Sequence, residues 1–64
     1  MTRDPRLDPQ PGDVVHSVAW ACTYVVVERD GDRVCYYAEG DLCTVPLKSW
    51  CAMVYGADVR AGAE

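Results

Sequence analysis

The sequence has no phenylalanine, one histidine and only six basic residues against ten acidic ones. The resulting formal charge of −4 disfavours nucleic acid as a partner, because each phosphate contact normally needs a lysine or an arginine. The longest stretch without a formal charge, Val14 to Val27, is too short for a membrane-spanning helix, which needs about 20 residues. We therefore expect no insertion into a membrane.

The length of 64 residues limits the chain to one small domain. A domain of this size buries only about 60% of the surface that its unfolded chain exposes, which leaves no room for a cleft between two halves. Half of the residues are apolar and a quarter are charged, which is typical of a soluble globular domain and not of a disordered one. Charges at Arg3, Asp4, Arg6 and Asp8 do not fit a secretory signal, so we expect a cytoplasmic protein.

The four cysteines lack the spacing of a zinc site. They stand at Cys22, Cys35, Cys43 and Cys51, and no Cys-x-x-Cys pair directs two sulfurs at one ion. A disulfide framework would need a secretory context. We expect reduced, largely buried thiols with no metal and no cofactor, while disulfide pairing and metal binding stay open as alternatives.

Proline divides the beginning of the chain from the rest. Three of the four prolines lie in residues 1–12, which predicts an extended arm ahead of a single domain at residues 13–59. The tripeptide Pro11-Gly12-Asp13 predicts a turn that leads into a strand at Val14. Residues 60–64 are expected to fray.

A hairpin is the strongest local prediction. β-Branched and aromatic residues dominate positions 19–28, and Asp30-Gly31 follows them, which is a strong hairpin signal. A turn centred on Asp30 and Gly31 would place Tyr24 opposite Tyr37 and divide the hairpin into two faces. The more aliphatic face is predicted to be buried. The full predicted core is Val14, Val25, Val27, Val34, Tyr36, Val45, Leu47 and Trp50.

The other face of this hairpin is too apolar to be completely solvated. Its members are Trp20, Cys22, Tyr24, Val26, Cys35 and Tyr37. Tryptophan and tyrosine are the residue types that anchor contacts between proteins. Trp20, Tyr24 and Tyr37 are therefore the candidate interaction face.

The second half of the chain predicts one more strand and a helix. A turn at Glu39-Gly40-Asp41 and a strand at residues 42–45 complete a meander, which Pro46 ends because proline cannot donate to a ladder. Apolar residues then recur at helical spacing over residues 47–55, and Val59 begins a return to the sheet. The expected fold is mainly β: a small SH3-like barrel or a bent antiparallel meander with one short C-terminal helix.

The residues from Asp4 to Val14 read Asp-Pro-Arg-Leu-Asp-Pro-Gln-Pro-Gly-Asp-Val. This segment resembles the start of small uncharacterised proteins of bacteria and their phages, which share Asp-Pro-Arg-x-Asp-Pro-x-Pro-Gly-Asp-Val. Those proteins continue with a valine-rich hairpin and a helix that contains tryptophan, as this chain does at residues 24–37 and at Trp50. The resemblance implies a phage or prophage setting and no known activity.

No arrangement of residues predicts an enzyme. Side chains of adjacent strand residues point to opposite faces, so His16 and Ser17 cannot act together as base and nucleophile. A surplus apolar face and exposed sheet edges are instead typical of a protein-interaction or adaptor module that binds a partner protein or a second copy. The alternative is a small barrel that binds single-stranded nucleic acid by stacking bases on Trp20, Tyr24 and Tyr37.

Overall fold

A computed structural model describes residues 4–61, which form five antiparallel strands and one short helix. The elements, in chain order, are β1 (Val14–Ser17), β2 (Cys22–Asp30), β3 (Arg33–Ala38), β4 (Asp41–Pro46), α1 (Leu47–Met53) and β5 (Asp58–Ala61). The strands make one open sheet in the order β4-β3-β2-β1-β5. The prediction of a mainly β fold, a bent antiparallel meander with one short helix, is confirmed.

Tight turns join β2 to β3 and β3 to β4, as the sequence predicts. Gly31 takes the first central position of the first turn with a φ of 57°, as a type II′ turn requires. In the second turn Glu39 and Gly40 both have positive φ, at 50° and 87°, which is the type I′ geometry. These turn types match the right-handed twist of the flanking strands, so β2, β3 and β4 lie side by side.

The predicted position of the first turn is wrong. Asp30 pairs with Arg33, so the central residues of the turn are Gly31 and Asp32, not Asp30 and Gly31. Gly31 adopts the positive φ of the first central position without the steric cost that a Cβ atom would add there.

A β-bulge at Val27 then changes the pairing again. Beyond it Tyr24 no longer lies opposite Tyr37, because the register differs from the predicted one by one residue. Side chains alternate between the two faces of a strand, so this difference reverses the orientation of β2 relative to the prediction. Tyr24 and Val26 point inward to the core, and Val25 points outward.

The core lies between the inner face of the sheet and α1. Its buried members are Val15, Tyr24, Val26, Val34, Tyr36, Trp50, Val54 and Ala57. The predicted core is confirmed for Val34, Tyr36 and Trp50. Val45 and Leu47 are half-buried and pack against this core. The prediction is wrong for Val14, which is half-buried outside the core cluster, and for Val25 and Val27, which are exposed.

Three aromatic rings form the centre of this core. The ring centroids of Tyr24 and Tyr36 are 5.4 Å apart, and each ring lies within 6 Å of Trp50, at 5.9 Å and 5.5 Å. The two contacts of Tyr24 have the edge-on geometry that aromatic quadrupoles favour. Tyrosine thus supplies the bulk that phenylalanine would provide in another small core.

The arm is part of the folded structure. Pro5 and Pro9 are completely buried, and the indole Nε1 of Trp50 donates a hydrogen bond of 3.0 Å to the carbonyl oxygen of Pro5. Arg29 of β2 donates from its guanidinium to the Asp8 carboxylate and to the Pro9 carbonyl, each at 3.0 Å. The arm therefore closes over the core from the helix to β2.

Hydrogen bonds also fix the junction between the arm and β1. The buried carboxylate of Asp13 accepts a hydrogen bond of 2.8 Å from the backbone N–H of Gln10, which closes the turn through Pro11. The N–H of Gly12 donates to the carbonyl of Val26, and the N–H of Val26 donates to the carbonyl of Asp13, both at 2.8 Å. These bonds hold Val26 in place directly beside the bulge.

The helix is shorter than predicted, and the last strand is longer. The last residue of α1 is Met53, and the backbone N–H of Val54 donates a hydrogen bond of 3.0 Å to the carbonyl of Trp50, which closes the final turn of the helix. Arg60 and Ala61, which the sequence assigns to a frayed tail, belong to β5, and residues 62–64 of that tail lie outside the described residues. No helix within residues 4–61 has the length and apolar character needed to cross a membrane.

Candidate functional site

The three residues of the predicted interaction face do not share one face. Tyr24 is only 7% exposed and points into the core, whereas Tyr37 is 46% exposed on the opposite, outer face of the sheet. Trp20 lies in the loop between β1 and β2 and is 72% exposed. The register difference separates Tyr24 from Tyr37, which the prediction placed on the same side of the sheet, and Trp20 lies outside the strands.

The structure places a different set of apolar side chains beside Tyr37. Across the strands, Val25 of β2 lies directly opposite Tyr37 of β3, and Tyr37 lies directly opposite Leu42 of β4. On the other side Val25 pairs with the half-buried Val14 of β1. We call these four residues, Val14, Val25, Tyr37 and Leu42, the outer apolar row.

The exposure of the outer apolar row rises toward the β4 edge. Val25 is 37% exposed, Tyr37 46% and Leu42 61%. Directly opposed side chains on neighbouring strands are close enough to touch, so the row is continuous and not a scatter of isolated residues. Single exposed apolar residues are normal on any protein, whereas a contiguous set indicates a binding surface.

Polar residues flank the row on both sides along the strands. On one side His16 pairs with Thr23, and the two side chains are joined by a hydrogen bond of 2.9 Å between Nδ1 and Oγ1. On the other side Cys35 pairs with Glu28 and with Thr44. An apolar centre with a polar margin is the usual composition of a surface at which two proteins meet.

The sequence contains a signal for part of this row that the prediction did not use. Leu42 is the second residue of β4, four positions after Ala38, at which β3 ends. Its exposure follows from alternation along β4, where the half-buried positions are Cys43 and Val45. Val25 was missed because its face depends on the bulge.

The cysteines do not form a metal centre in the part of the chain that the structure describes. Cys22, Cys35, Cys43 and Cys51 are half-buried free thiols. Across residues 4–61, no three side chains of histidine, cysteine, aspartate or glutamate come together in a way that would hold a metal ion.

Burial changes the pKa of two tyrosines in the core. Burial raises the pKa of Tyr24, and the neighbouring Cys22 raises it further. Burial likewise raises the pKa of Tyr36, with a smaller contribution from Cys43, and the Tyr36 hydroxyl also contacts the Met53 sulfur at 3.9 Å. Both hydroxyls therefore stay protonated as structural groups of the core.

A second surface feature is a pair of depressions on either side of Cys51. One, of about 380 Å³, is lined by Asp4, Arg6, Leu7, Cys51, Tyr55 and Gly56. The other, of about 630 Å³, is lined by Asp32, Pro46, Leu47, Lys48 and Cys51. In the first, the Arg6 guanidinium is occupied by the Asp4 carboxylate and the Ala57 carbonyl, and its hydrogen bonds lower the pKa of Asp4. Because the Arg6 guanidinium and the Asp4 carboxylate are already bonded to each other, they are poorly suited to bind a ligand in this depression.

The fold and the outer apolar row define a small antiparallel β domain with an uncovered apolar face. No protein-family model, no curated protein and no solved structure matches this chain.

Proposed function

We propose that this protein is a protein-interaction module, and that the outer apolar row is its binding surface. The observation that carries this proposal is the direct cross-strand pairing of Val25, Tyr37 and Leu42, three partly exposed apolar side chains on adjacent strands. Covering them with another protein removes contiguous apolar surface from water, which is favourable in proportion to the area covered.

The shape of the surface favours a macromolecular partner. Sites for small molecules are concave, whereas the row lies across the face of an open sheet. Tyr37 sits at the middle of its exposed part, where a large amphipathic ring contributes most to binding. The row itself carries no formal charge, so covering it costs no desolvation of an ion.

Nucleic acid has less support than a protein. The stacking platform of Trp20, Tyr24 and Tyr37 requires all three rings on one surface, and Tyr24 is buried. Two of the cations, Arg6 and Arg29, are already bound to the carboxylates of the arm. Weak oligonucleotide binding that disappears as salt rises would favour nucleic acid over protein as the ligand.

The test compares two exposed tyrosines. Tyr37→Ser removes the centre of the row, and Tyr55→Ser removes a tyrosine that is almost fully exposed beyond α1. Each variant and the wild type are immobilised and incubated with host lysate, and the captured proteins are quantified by mass spectrometry. We expect Tyr37→Ser to lose specific partners that wild type and Tyr55→Ser retain equally. Identical capture by all three would contradict the proposal.

Candidate partners follow from the resemblance of residues 4–14. The proposal includes a phage or prophage setting, in which products of neighbouring genes and host proteins are the first partners to examine.

The likeness to an SH3-like barrel is part of the same proposal and is tested by an experimental structure. An SH3-like barrel requires the strands to curl until its edge strands approach each other.

A further inference from the structure

The two edges of the sheet differ in how well they are protected against pairing with another strand. At one edge β5 carries Asp58 and Arg60, and its pairing with β1 is interrupted by a register shift. At the other edge β4 presents four uncharged residues in a row, from Leu42 to Val45, with no glycine and an unbroken register with β3. Charges and bulges are the usual means of keeping an edge strand unpaired, and the middle of β4 has neither.

The backbone groups that face outward from β4 can be identified. The register of β3 and β4 continues by one step to the pair of Asp32 and Leu47. The N–H of Leu47 donates to the carbonyl of Asp32, so this pair is of the hydrogen-bonded type. The two types of pair alternate along an antiparallel ladder. Counting back along β4, the N–H and C=O groups of Thr44 and Leu42 point away from β3, toward the free edge.

The ends of β4 carry opposite charges. Glu39 and Asp41 stand at its beginning, and Lys48 follows shortly after its end. If β4 of a second copy ran antiparallel to β4, the basic end of each strand would lie beside the acidic end of the other. Opposite charges placed in this way favour the antiparallel arrangement of two identical strands over the parallel one.

We propose that β4 pairs antiparallel with β4 of a second copy of this chain, about a two-fold axis at Cys43. In this register Leu42 of one copy pairs with Thr44 of the other, so all outward groups of both residues are used. The register centred on Thr44 would instead pair Leu42 with Pro46, which has no N–H to donate. The pairing continues the sheet across both copies and joins the two outer apolar rows at their exposed Leu42 ends.

This inference rests on the proposed function, because it names a second copy as the partner at the β4 end of the same surface. Its test is sedimentation equilibrium over a range of protein concentrations with wild type, Thr44→Lys and Thr44→Val. Thr44 is exposed, so both substitutions leave the core intact, and circular dichroism verifies the fold. We expect Thr44→Lys to raise the dimer dissociation constant about tenfold or more, because each copy then carries a lysine at the paired edge. We expect Thr44→Val, which adds no charge, to remain a dimer.

Thiol cross-linking tests the register. A variant that keeps only Cys43, with serine at the other three cysteines, should form a covalent dimer under mild oxidation. Directly opposed residues of a non-hydrogen-bonded pair have Cα atoms about 4.5 Å apart, within the range of a disulfide. The matched variant that keeps only Cys35, one strand further from the edge, should stay uncross-linked at the same concentration.

The outcomes separate the two proposals. A wild-type protein that stays monomeric at every concentration overturns edge pairing, and the comparison of Tyr37→Ser with Tyr55→Ser still decides the proposed function. A dimer that Thr44→Lys leaves intact and Tyr37→Ser dissociates also overturns edge pairing, because two outer faces then meet directly. Equal cross-linking through Cys43 and Cys35 overturns the register.

Discussion

The indole N–H of Trp50 donates a hydrogen bond of 3.0 Å to the carbonyl of Pro5, across 45 positions of the chain. Both residues are completely buried, so neither group has water as an alternative partner. This bond fastens the arm to the helix, and it makes Pro5 part of the core although its position in the sequence suggests a peripheral segment.

Two substitutions of Trp50 separate the hydrogen bond from the packing. Trp50→Phe removes the indole N–H and leaves the Pro5 carbonyl buried without its donor, which costs about 1–3 kcal/mol. Trp50→Ala also removes the ring that contacts both core tyrosines, and it should cost about 3–5 kcal/mol. Urea unfolding measures both values. A Trp50→Phe protein as stable as wild type would show that the bond to Pro5 contributes nothing.

Arg29 should matter more to stability than the carboxylate with which it pairs. Asp8 is more than half exposed, so Asp8→Asn should change the free energy of unfolding by only about 0–1 kcal/mol. Arg29→Ala also removes the donors to the Pro9 and Gly31 carbonyls, so its cost should be clearly larger. Thermal melts of the two variants, made side by side, provide the comparison. Equal losses would mean that the ion pair is the whole contribution of Arg29.

Adjacent valines of β2 test the orientation of the strand. Val26→Ala truncates a fully buried side chain and should destabilise the fold by about 2 kcal/mol, whereas Val25→Ala on the outer face should cost well under about 1 kcal/mol. The register read from the sequence predicts the opposite order. Chemical denaturation of this matched pair therefore distinguishes the two registers directly.

Alkaline pH should destabilise the protein through Tyr24 and Tyr36. Burial raises the pKa of both phenols, so the folded state holds their protons more tightly than the unfolded state does. Their contribution is complete below the ordinary pKa of 10.0 and is lost as the pH rises above it. The free energy of unfolding, measured by urea against pH, should fall less steeply in Tyr24→Phe/Tyr36→Phe than in wild type. Parallel curves would contradict this assignment.

Local signals in the sequence were sufficient to predict the strands, the turns and the helix, but they did not predict which face of β2 is buried. The turns at Gly31 and Gly40, the strand-forming runs and the helical spacing around Trp50 each predict an element that the structure contains. The orientation of β2 depends on a bulge at Val27, and nothing in a run of three valines marks the extra residue. Because alternation has a period of two, that single residue decided whether Tyr24 or Val25 reached the surface.

The burial of the arm could not be predicted for a related reason. Proline-rich segments with few apolar side chains rarely enter a core, so no local pattern predicts the burial of Pro5 and Pro9. Their burial depends on the side chains of Trp50 and Arg29, which donate hydrogen bonds to the carbonyls of Pro5 and Pro9 in a segment that has no regular ladder. Contacts of this kind join distant parts of the chain and leave no periodic trace in either part.

The bond between Pro5 and Trp50 has a consequence for synthesis on the ribosome. The arm is made before α1, which holds it, and both α1 and β5, the second partner strand of β1, are made after residue 46. We expect the hairpins to form early and the native domain to close only when residues 47–61 have left the exit tunnel, in one late cooperative step. An arrest-peptide assay should therefore record a single folding event at that chain length. Until then the inner face of the meander is exposed, and molecular chaperones have their longest opportunity to bind it.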